Sequence, residues 1–408
     1  MLDPDRAKQI VLEHIAPKPP QQVGLEESLG LVLQEDIRAT CSVPAFDNSA
    51  MDGYAVLASD LAQASPQSPV VLEKVDYIPA GNREEREIQS GQCYQIATGA
   101  ELPPGADAVV MKERVEVEGN QIRFMHSPQV KEHLRFKGED IEEHQTVVRR
   151  GELIGPAQIA LFAAFGHARV LVQKPLEVVI ITTGSELVDV NSPLEPGKIH
   201  DSNSYMFAAL FREERCLCHR VGIVQDDPEL LYEVLKSHIN ADMVLISGGV
   251  SVGDRDFVKD VLRKVGVEEI FWKVRVKPGK PFFFGKKEDS LIFGMPGNPA
   301  SGYVIFEEFV RPAIRKAMGY ATLEKSLVTA TLEKRITERT ERRQYLRAQL
   351  RKDGDHFRVK PLPVQGSHSL SSLAWSNSLI IVPENSEELP EGSQVTVRPL
   401  IDTLGMQS

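Results

Sequence analysis

The 408-residue chain has little cysteine, no long apolar run and no excess of positive charge. Four cysteines, Cys41, Cys93, Cys216 and Cys218, are too few for a disulfide scaffold. Cys216 and Cys218 are one residue apart, too close for a zinc-binding C-x-x-C hook. They are expected to be reduced, buried thiols. No run of about 18 apolar residues occurs, so no transmembrane helix is expected. The N-terminal MLDPDRAKQIVLEHI lacks the basic flank and apolar core of a signal peptide. Asp and Glu number 58 against 47 Lys and Arg, a formal charge of −11. A general binder of nucleic acid or anionic membrane needs the opposite field. A local basic site for a phosphorylated small molecule is still compatible with that charge. No G-x-S-x-G or H-E-x-x-H motif occurs, and the histidines do not cluster at metal-ligand spacing. Charged residues at 26% and apolar ones at 42% are ordinary for a soluble globular protein. The length predicts about two to four domains, and the expected reduced thiols, with no signal peptide or membrane span expected, point to a cytoplasmic chain.

What is present changes character along the chain. Asp3 to Ile15 reads as a helix, with Asp3 as cap and Pro4 in the first turn. From Ser42 to about Lys137, short apolar runs broken by Gly, Pro and Asn predict a β-rich segment, with a hairpin turn at Gly119–Asn120. GPAQIALFAAF, from Gly155, reads as a second helix. From about Ala168 to Gly319, strand-like LEVVIITTG, CLCHRVGIV, DMVLISGG and SLIFGMPG alternate with helix-like runs, the last from Asn298 to Met318. Such alternation means a mostly parallel sheet covered by helices, with ligands at the strands' carboxyl ends. After Ala321 the pattern returns to short strands, through QVTVRPL.

Three glycine-bearing turns follow strands of the alternating segment. The first is Thr182-Thr183-Gly184-Ser185-Glu186. The second runs Ser247-Gly248-Gly249-Val250-Ser251-Val252-Gly253-Asp254. The third is Gly294-Met295-Pro296-Gly297-Asn298-Pro299. Glycine lets backbone N–H groups approach an anion, so three such turns on one sheet edge predict a phosphate or oxyanion pocket. None is a P-loop or a G-x-G-x-x-G fingerprint. Glu186, Asp201, Asp226, Asp254 and Asp256 lie in or beside these turns. Carboxylates next to a phosphate pocket imply an intervening hard cation such as Mg²⁺. Lys273-Val274-Arg275-Val276-Lys277-Pro278-Gly279-Lys280-Pro281 supplies basic charge; as a strand it would set Lys273, Arg275 and Lys277 on one face.

PAFDNSAMDGYAV, FKGEDI, TTGSELV, GKIHDSN, SGGVSVGDRDF, KPGKPFFFG and GMPGNPAS, in this order, closely resemble the molybdopterin molybdenumtransferase family, to which the E domain of gephyrin belongs. The resemblance runs from the first helix to the final strand. It implies insertion of molybdate into adenylylated molybdopterin, with Mg²⁺-dependent hydrolysis of the phosphoanhydride, loss of AMP and release of molybdenum cofactor. It further implies an elongated, L-shaped chain in a homodimer with a site shared between subunits. The parts would be an extended dimerisation segment (1–45 and 141–170), a small β-rich domain (46–140), a doubly wound α/β molybdopterin-binding domain (171–320) and a C-terminal β-barrel (321–408).

By the same resemblance, Asp52 in SAMDGYA faces the partner's α/β domain, with Arg135 and Asp140 as companions. Glu186 and Asp226 match acidic positions, and are the expected metal ligands. Asp256 matches another, with Asp254 two residues before it as the alternative. Thr183, Gly184, Ser185, Ser247, Gly248, Gly249, Ser251 and Gly253 belong to the substrate turns. Lys273, Lys277 and Lys280 match basic positions for phosphate or molybdate. Pro296, Gly297, Asn298 and Pro299 form the PGNP turn, and Ser369 or Ser371 lies in a serine-rich loop. Partners would be the two substrates and, beyond them, the adenylyltransferase of the preceding step and cofactor-delivery proteins. One alternative is that adenylyltransferase itself, which resembles the α/β segment alone. Another is a gephyrin-like non-catalytic scaffold, which need not keep the acids.

Overall fold

The structure is a computed structural model that describes residues 1–249 and 257–400. The chain forms two compact units. One comprises Met1–Glu35, Arg150–Pro156 and Arg169–Ser408, the other Asp36–Arg149 and Ala157–Ala168. Helix α1 (Pro4–Glu13) starts as the sequence predicts. Asp3 accepts the Asp5 and Arg6 N–H groups at 3.0 and 3.3 Å, and Pro4 has no N–H to leave orphaned.

The second unit is built on a six-stranded mixed sheet. Its strands are β1 (Gly53–Val56), β2 (Val70–Ile78), β3 (Gln92–Ile96), β4 (Ala108–Met111), β5 (Val115–Glu118) and β6 (Gln121–Phe124), in the order β4-β1-β3-β2-β6-β5. Alternate side chains leave opposite faces. Tyr54 and Val56 thus enter one core and Ala55 a second. β5 and β6 form the expected hairpin, with Gly119 at φ 61°. Helix α2 spans Pro156–Ala164.

The other unit carries β7 (Glu177–Thr183), α3 (Asn203–Glu213), β8 (Leu217–Val224), α4 (Pro228–His238), β9 (Met243–Ser247), α5 (Phe257–Val265), β10 (Glu268–Trp272), β11 (Phe283–Lys287), β12 (Ser290–Met295), α6 (Pro299–Ile305) and α7 (Arg311–Ala317). The sheet order is β8-β7-β9-β12-β11-β10, the first four parallel and the last two antiparallel. Val178 and Ile180 pack into one core with α1, α3 and α7, while Val179 and Ile181 face α4 and α5. Both faces are therefore covered, as a parallel sheet requires. Then follow β13 (Val328–Leu332), β14 (Arg343–Asp353), β15 (His356–Pro361), α8 (Leu370–Ala374), β16 (Ser378–Val382) and β17 (Gln394–Pro399). Strands β14-β15-β13-β17-β16 close back on β14 as a five-stranded barrel.

Two local expectations change. The sequence predicts one helix from Asn298 to Met318, but a π-helical turn, Phe306–Val310, separates α6 from α7. Pro312 explains it: without an N–H it cannot bond back four residues, and a widened turn absorbs the defect. The KVRVK stretch is not a regular strand either. Lys273 has φ 79°, which breaks the period of two; Val274 makes an isolated bridge to Leu2, and Val276–Lys277 pairs with Arg343–Gln344.

The widened turn buries two consecutive glutamates in two ion clusters. Glu308 meets Lys8 at 2.7 Å and Arg398 at 2.5 Å, and both cations also reach Glu324. Glu307 meets Arg311 at 2.7 Å, and Arg311 also pairs with Glu213 and Glu214. Burial pushes the Glu308 carboxyl up, but Arg398 and Lys8 outweigh it, leaving it below the ordinary range. Glu214 behaves alike: Arg315 and Arg311 overcome the same burial. A lowered carboxylate contributes stability above its unfolded value, roughly 4.3, and loses it as pH falls through the folded value. Glu308→Ala should cost about 3–5 kcal/mol in urea unfolding at pH 7, because Arg398 stays buried without its nearest partner. In Glu308→Gln the loss of stability below about pH 4 should be shallower than in the parent chain.

Candidate active site

Parallel register puts the turns in one layer. Thr182 pairs with Ser247, and Ser247 with Met295. The chain leaves β7, β9 and β12 at the same edge, over a cleft of about 1470 Å³. Thr183, Gly184, Ser185, Glu186, Ser247, Gly248, Gly249, Pro296, Gly297, Asn298 and Pro299 all line it, as does Asp226 after β8. Gly248 and Gly249 have φ 95° and 66°. A Cβ on Gly248 would sit 2.2 Å from the Thr183 carbonyl oxygen, and one on Gly249 2.3 Å from Val258. Only glycine allows that closeness.

The cleft has two chemically different ends. At the β7–β8 end lie the exposed carboxylates of Glu186 and Asp226, with Asp227 beside them. Asp226 Oδ2 accepts the Ser185 N–H at 2.9 Å, and Lys198 Nζ donates to the Ser185 carbonyl at 2.6 Å. Asp227 caps α4 through the Glu229 and Leu230 N–H groups. At the β12 end the cleft meets His368 and Leu370 of the C-terminal region. There Asn298 Nδ2 donates to Ser367 Oγ at 3.1 Å, and the Ala300 N–H to the Ser367 carbonyl at 3.0 Å.

Arg347 lies under that loop, fully buried. It donates to the Gly366 carbonyl at 3.1 Å and to Ser372 Oγ at 3.2 Å. No carboxylate is among these partners, and burial pushes its guanidinium down to about 10. Ser369 Oγ accepts the Ser372 N–H and lies 3.2 Å from Ser371 Oγ. A buried cation beneath a hydroxyl-rich loop favours an anion at this end. Thr182 and Thr183 hydroxyls, also buried, have no hydrogen-bond partner.

Other expected residues are placed elsewhere. Lys273, Lys277, Lys280, Ser369 and Ser371 are not among the residues that line the cleft; Pro281 and the serines' neighbours His368 and Leu370 are. Lys277 pairs with Glu338, and Lys273 Nζ sits 4.1 Å from the centroid of the Trp272 ring. Asp52, Arg135 and Asp140 belong to the other compact unit, and all three are exposed. Asp52 accepts the Thr98 N–H and hydroxyl at 2.8 and 2.9 Å and pairs with Lys112. The Thr98 bonds, then Lys112, hold its carboxyl below the ordinary range. Ser251, Gly253, Asp254 and Asp256 lie outside the described residues. The cysteines are free thiols, but only Cys93 and Cys216 are buried; Cys41 and Cys218 are half-buried. No helix among the described residues is long and apolar enough to cross a membrane. Lys198, Asn203, Arg347 and His368 were not singled out by sequence reasoning, although GKIHDSN and the serine-rich loop contain or adjoin three of them.

Comparison with known proteins bears on the same residues. Residues 2–166 match the MoeA N-terminal region (domain I and II), 179–316 a probable molybdopterin binding domain, and 329–400 the MoeA C-terminal region (domain IV). A molybdopterin molybdenumtransferase from Haemophilus influenzae is 36% identical, over 99% of this chain and all of that one. The chain belongs to the molybdopterin molybdenumtransferase (MoeA) family. Another member, from Bacillus subtilis, is 37% identical over 92% of this chain and 88% of its own. A crystal structure of a molybdopterin biosynthesis MoeA protein from Pyrococcus horikoshii OT3 covers 98% of this chain and all of its own, at 31% identity and a TM-score of 0.81. The multidomain α/β and β architecture expected from the family is thus the one observed.

The glycines can be tested directly. Gly248→Ala should cost about 2 kcal/mol or more in denaturant unfolding, from positive φ and the Thr183 clash. Gly297→Ala, whose Cβ would meet nothing closer than 3.8 Å, should stay within about 0.5 kcal/mol of the parent.

Proposed function

We propose that this chain is a molybdopterin molybdenumtransferase. It takes adenylylated molybdopterin and molybdate, hydrolyses the phosphoanhydride, releases AMP and delivers molybdenum cofactor. The observation that carries this is the two-ended cleft, with three backbone turns as floor, Glu186 and Asp226 at one end and the Arg347-backed serine loop at the other. A phosphoanhydride and a tetrahedral oxyanion are both anionic, and each needs a different neutraliser. The family match over the whole length, including the regions before and after the α/β segment, favours this reading over adenylyl transfer. Retention of Asp52, Glu186 and Asp226 favours it over a scaffold.

Glu186 and Asp226 offer only oxygen donors, which suits Mg²⁺, a cation that takes one or two carboxylates and completes its shell with ligand oxygens. Bound there, it would offset phosphate charge and stabilise the departing AMP. The turns' N–H groups orient the phosphates, and Ser185 is held in place by Asp226 and Lys198. Ser369 and Ser371 hydroxyls, over Arg347, receive molybdate, and Lys273, Lys277 and Lys280 add long-range attraction. In this reading Asp52, Arg135 and Asp140 complete the site in a cytoplasmic homodimer, and the chain follows 1–45 with 141–170, 46–140, 171–320 and 321–408 as its domains.

The test uses purified protein with adenylylated molybdopterin, molybdate and Mg²⁺. AMP release should require all three and consume no ATP. Adenylylation of free molybdopterin from ATP would replace this reading with the preceding step, and binding without turnover would replace it with a scaffold. Asp226→Asn keeps an acceptor for the Ser185 N–H yet loses the charge. It should lower turnover by a factor on the order of 10², with thermal stability little changed. A large fall in stability with specific activity intact would remove Asp226 from the site.

A further inference from the structure

We infer that Asn203 is a positioning residue that sets the spacing between the second and third glycine turns, and so the affinity of the cleft for its phosphorylated ligand. The inference rests on the function proposed above. Asn203 opens α3, but its side chain does not cap that helix. The capping bond is made by buried Asp201, whose Oδ1 accepts the Ser204 N–H at 3.0 Å. Asn203 is released to reach across the sheet edge. Its Nδ2 donates to Ser247 Oγ at 3.1 Å, at the end of β9, and to the Gly297 carbonyl at 2.7 Å, in the turn after β12. One buried amide thereby ties the helix that follows β7 to the ends of two neighbouring strands.

The orientation of the amide is fixed, since the Gly297 carbonyl can only accept. Its Oδ1 is left buried with no hydrogen-bond partner. An unpaired buried acceptor is costly, and an apolar residue here would avoid that cost. The arrangement makes sense if the two donors matter more than the lost acceptor. No other side chain of this size carries two donors on one neutral group. Aspartate would oppose the Gly297 carbonyl with a charge. The Gly248 and Gly297 backbones are close enough that a Cβ on Gly297 would lie 3.8 Å from Gly248 Cα, so a shift in either turn alters the surface a phosphate meets.

The test compares Asn203→Ala, Asn203→Asp and Ser247→Ala with the parent chain, in binding of adenylylated molybdopterin and in steady-state AMP release. Asn203→Ala should raise Kd and KM about tenfold, a loss of about 1.4 kcal/mol. Its kcat should change by less than about threefold and its Tm should fall by only a few degrees, since the orphaned Oδ1 leaves while the Ser247 hydroxyl and the Gly297 carbonyl lose their donor. Asn203→Asp should bind more weakly still, and Ser247→Ala, which removes one arm, should fall between parent and Asn203→Ala. A lower Tm with Kd unchanged would make Asn203 merely structural, and a fall in kcat at constant KM would place it in the chemistry; either overturns the inference. If Asn203→Ala does not fold, Ser247→Ala decides alone: Kd equal to the parent's contradicts the clamp. Failure of the parent chain itself to bind adenylylated molybdopterin would overturn the proposed function instead.

Discussion

The parallel register Thr182–Ser247–Met295 is the constraint on which the site depends. A parallel pair must return through a crossover, so successive strands all end at one edge. Register then decides which residues meet there. With Thr182 opposite Ser247, the Thr183 carbonyl and Gly248 come into contact, and no residue with a Cβ could follow Ser247. A slip of one residue would reverse the faces of Val178 to Ile181 and exchange their two cores. The apolar cores thus hold the strands in register, and Asn203 ties the ends of two of them together at the polar edge.

A second layer of order comes from the ion clusters around the π-helical turn. Glu308 joins α1 to β17, and Glu307 joins α7 to the region that precedes β13. The barrel is thereby fixed against the helices that follow β12, and its 366–370 loop stays bonded to Asn298 and Ala300 at the cleft. Breaking one of these pairs leaves a charge in the core, so the weld is stringent about its members even where its net energy is modest. The charge division of the cleft follows from the same arrangement. Carboxylates come from the sheet's own turns, while the buried cation Arg347 is brought by the barrel.

Local patterns made much of this legible. LEVVIITTG and DMVLISGG read as buried strands because both faces of the sheet are covered, and the glycines after them marked the cleft. Asp3 and Asp227 announced their helices by capping chemistry. Contacts made across long sequence separations were not legible. Arg347 sits in an ordinary alternating strand, and only the fold puts it under Gly366 and Ser372. Asn203 stands beside a conventional cap, and its use depends on two strands that come much later in the chain. The break at Phe306–Val310 had a local cause in Pro312, yet an apolar run of that length reads as one helix. Lys273 at φ 79° shows the reverse case, where alternation in sequence has no strand to support it.

The division of the cleft into a cation-binding and an oxyanion-binding end is the central claim, and anomalous diffraction at the molybdenum edge tests it most directly. Crystals soaked in molybdate should show density beside the serine loop, near Ser369, Ser371 and Asn298. Density confined to the Glu186–Asp226 end, with none at the serine loop, would contradict the account.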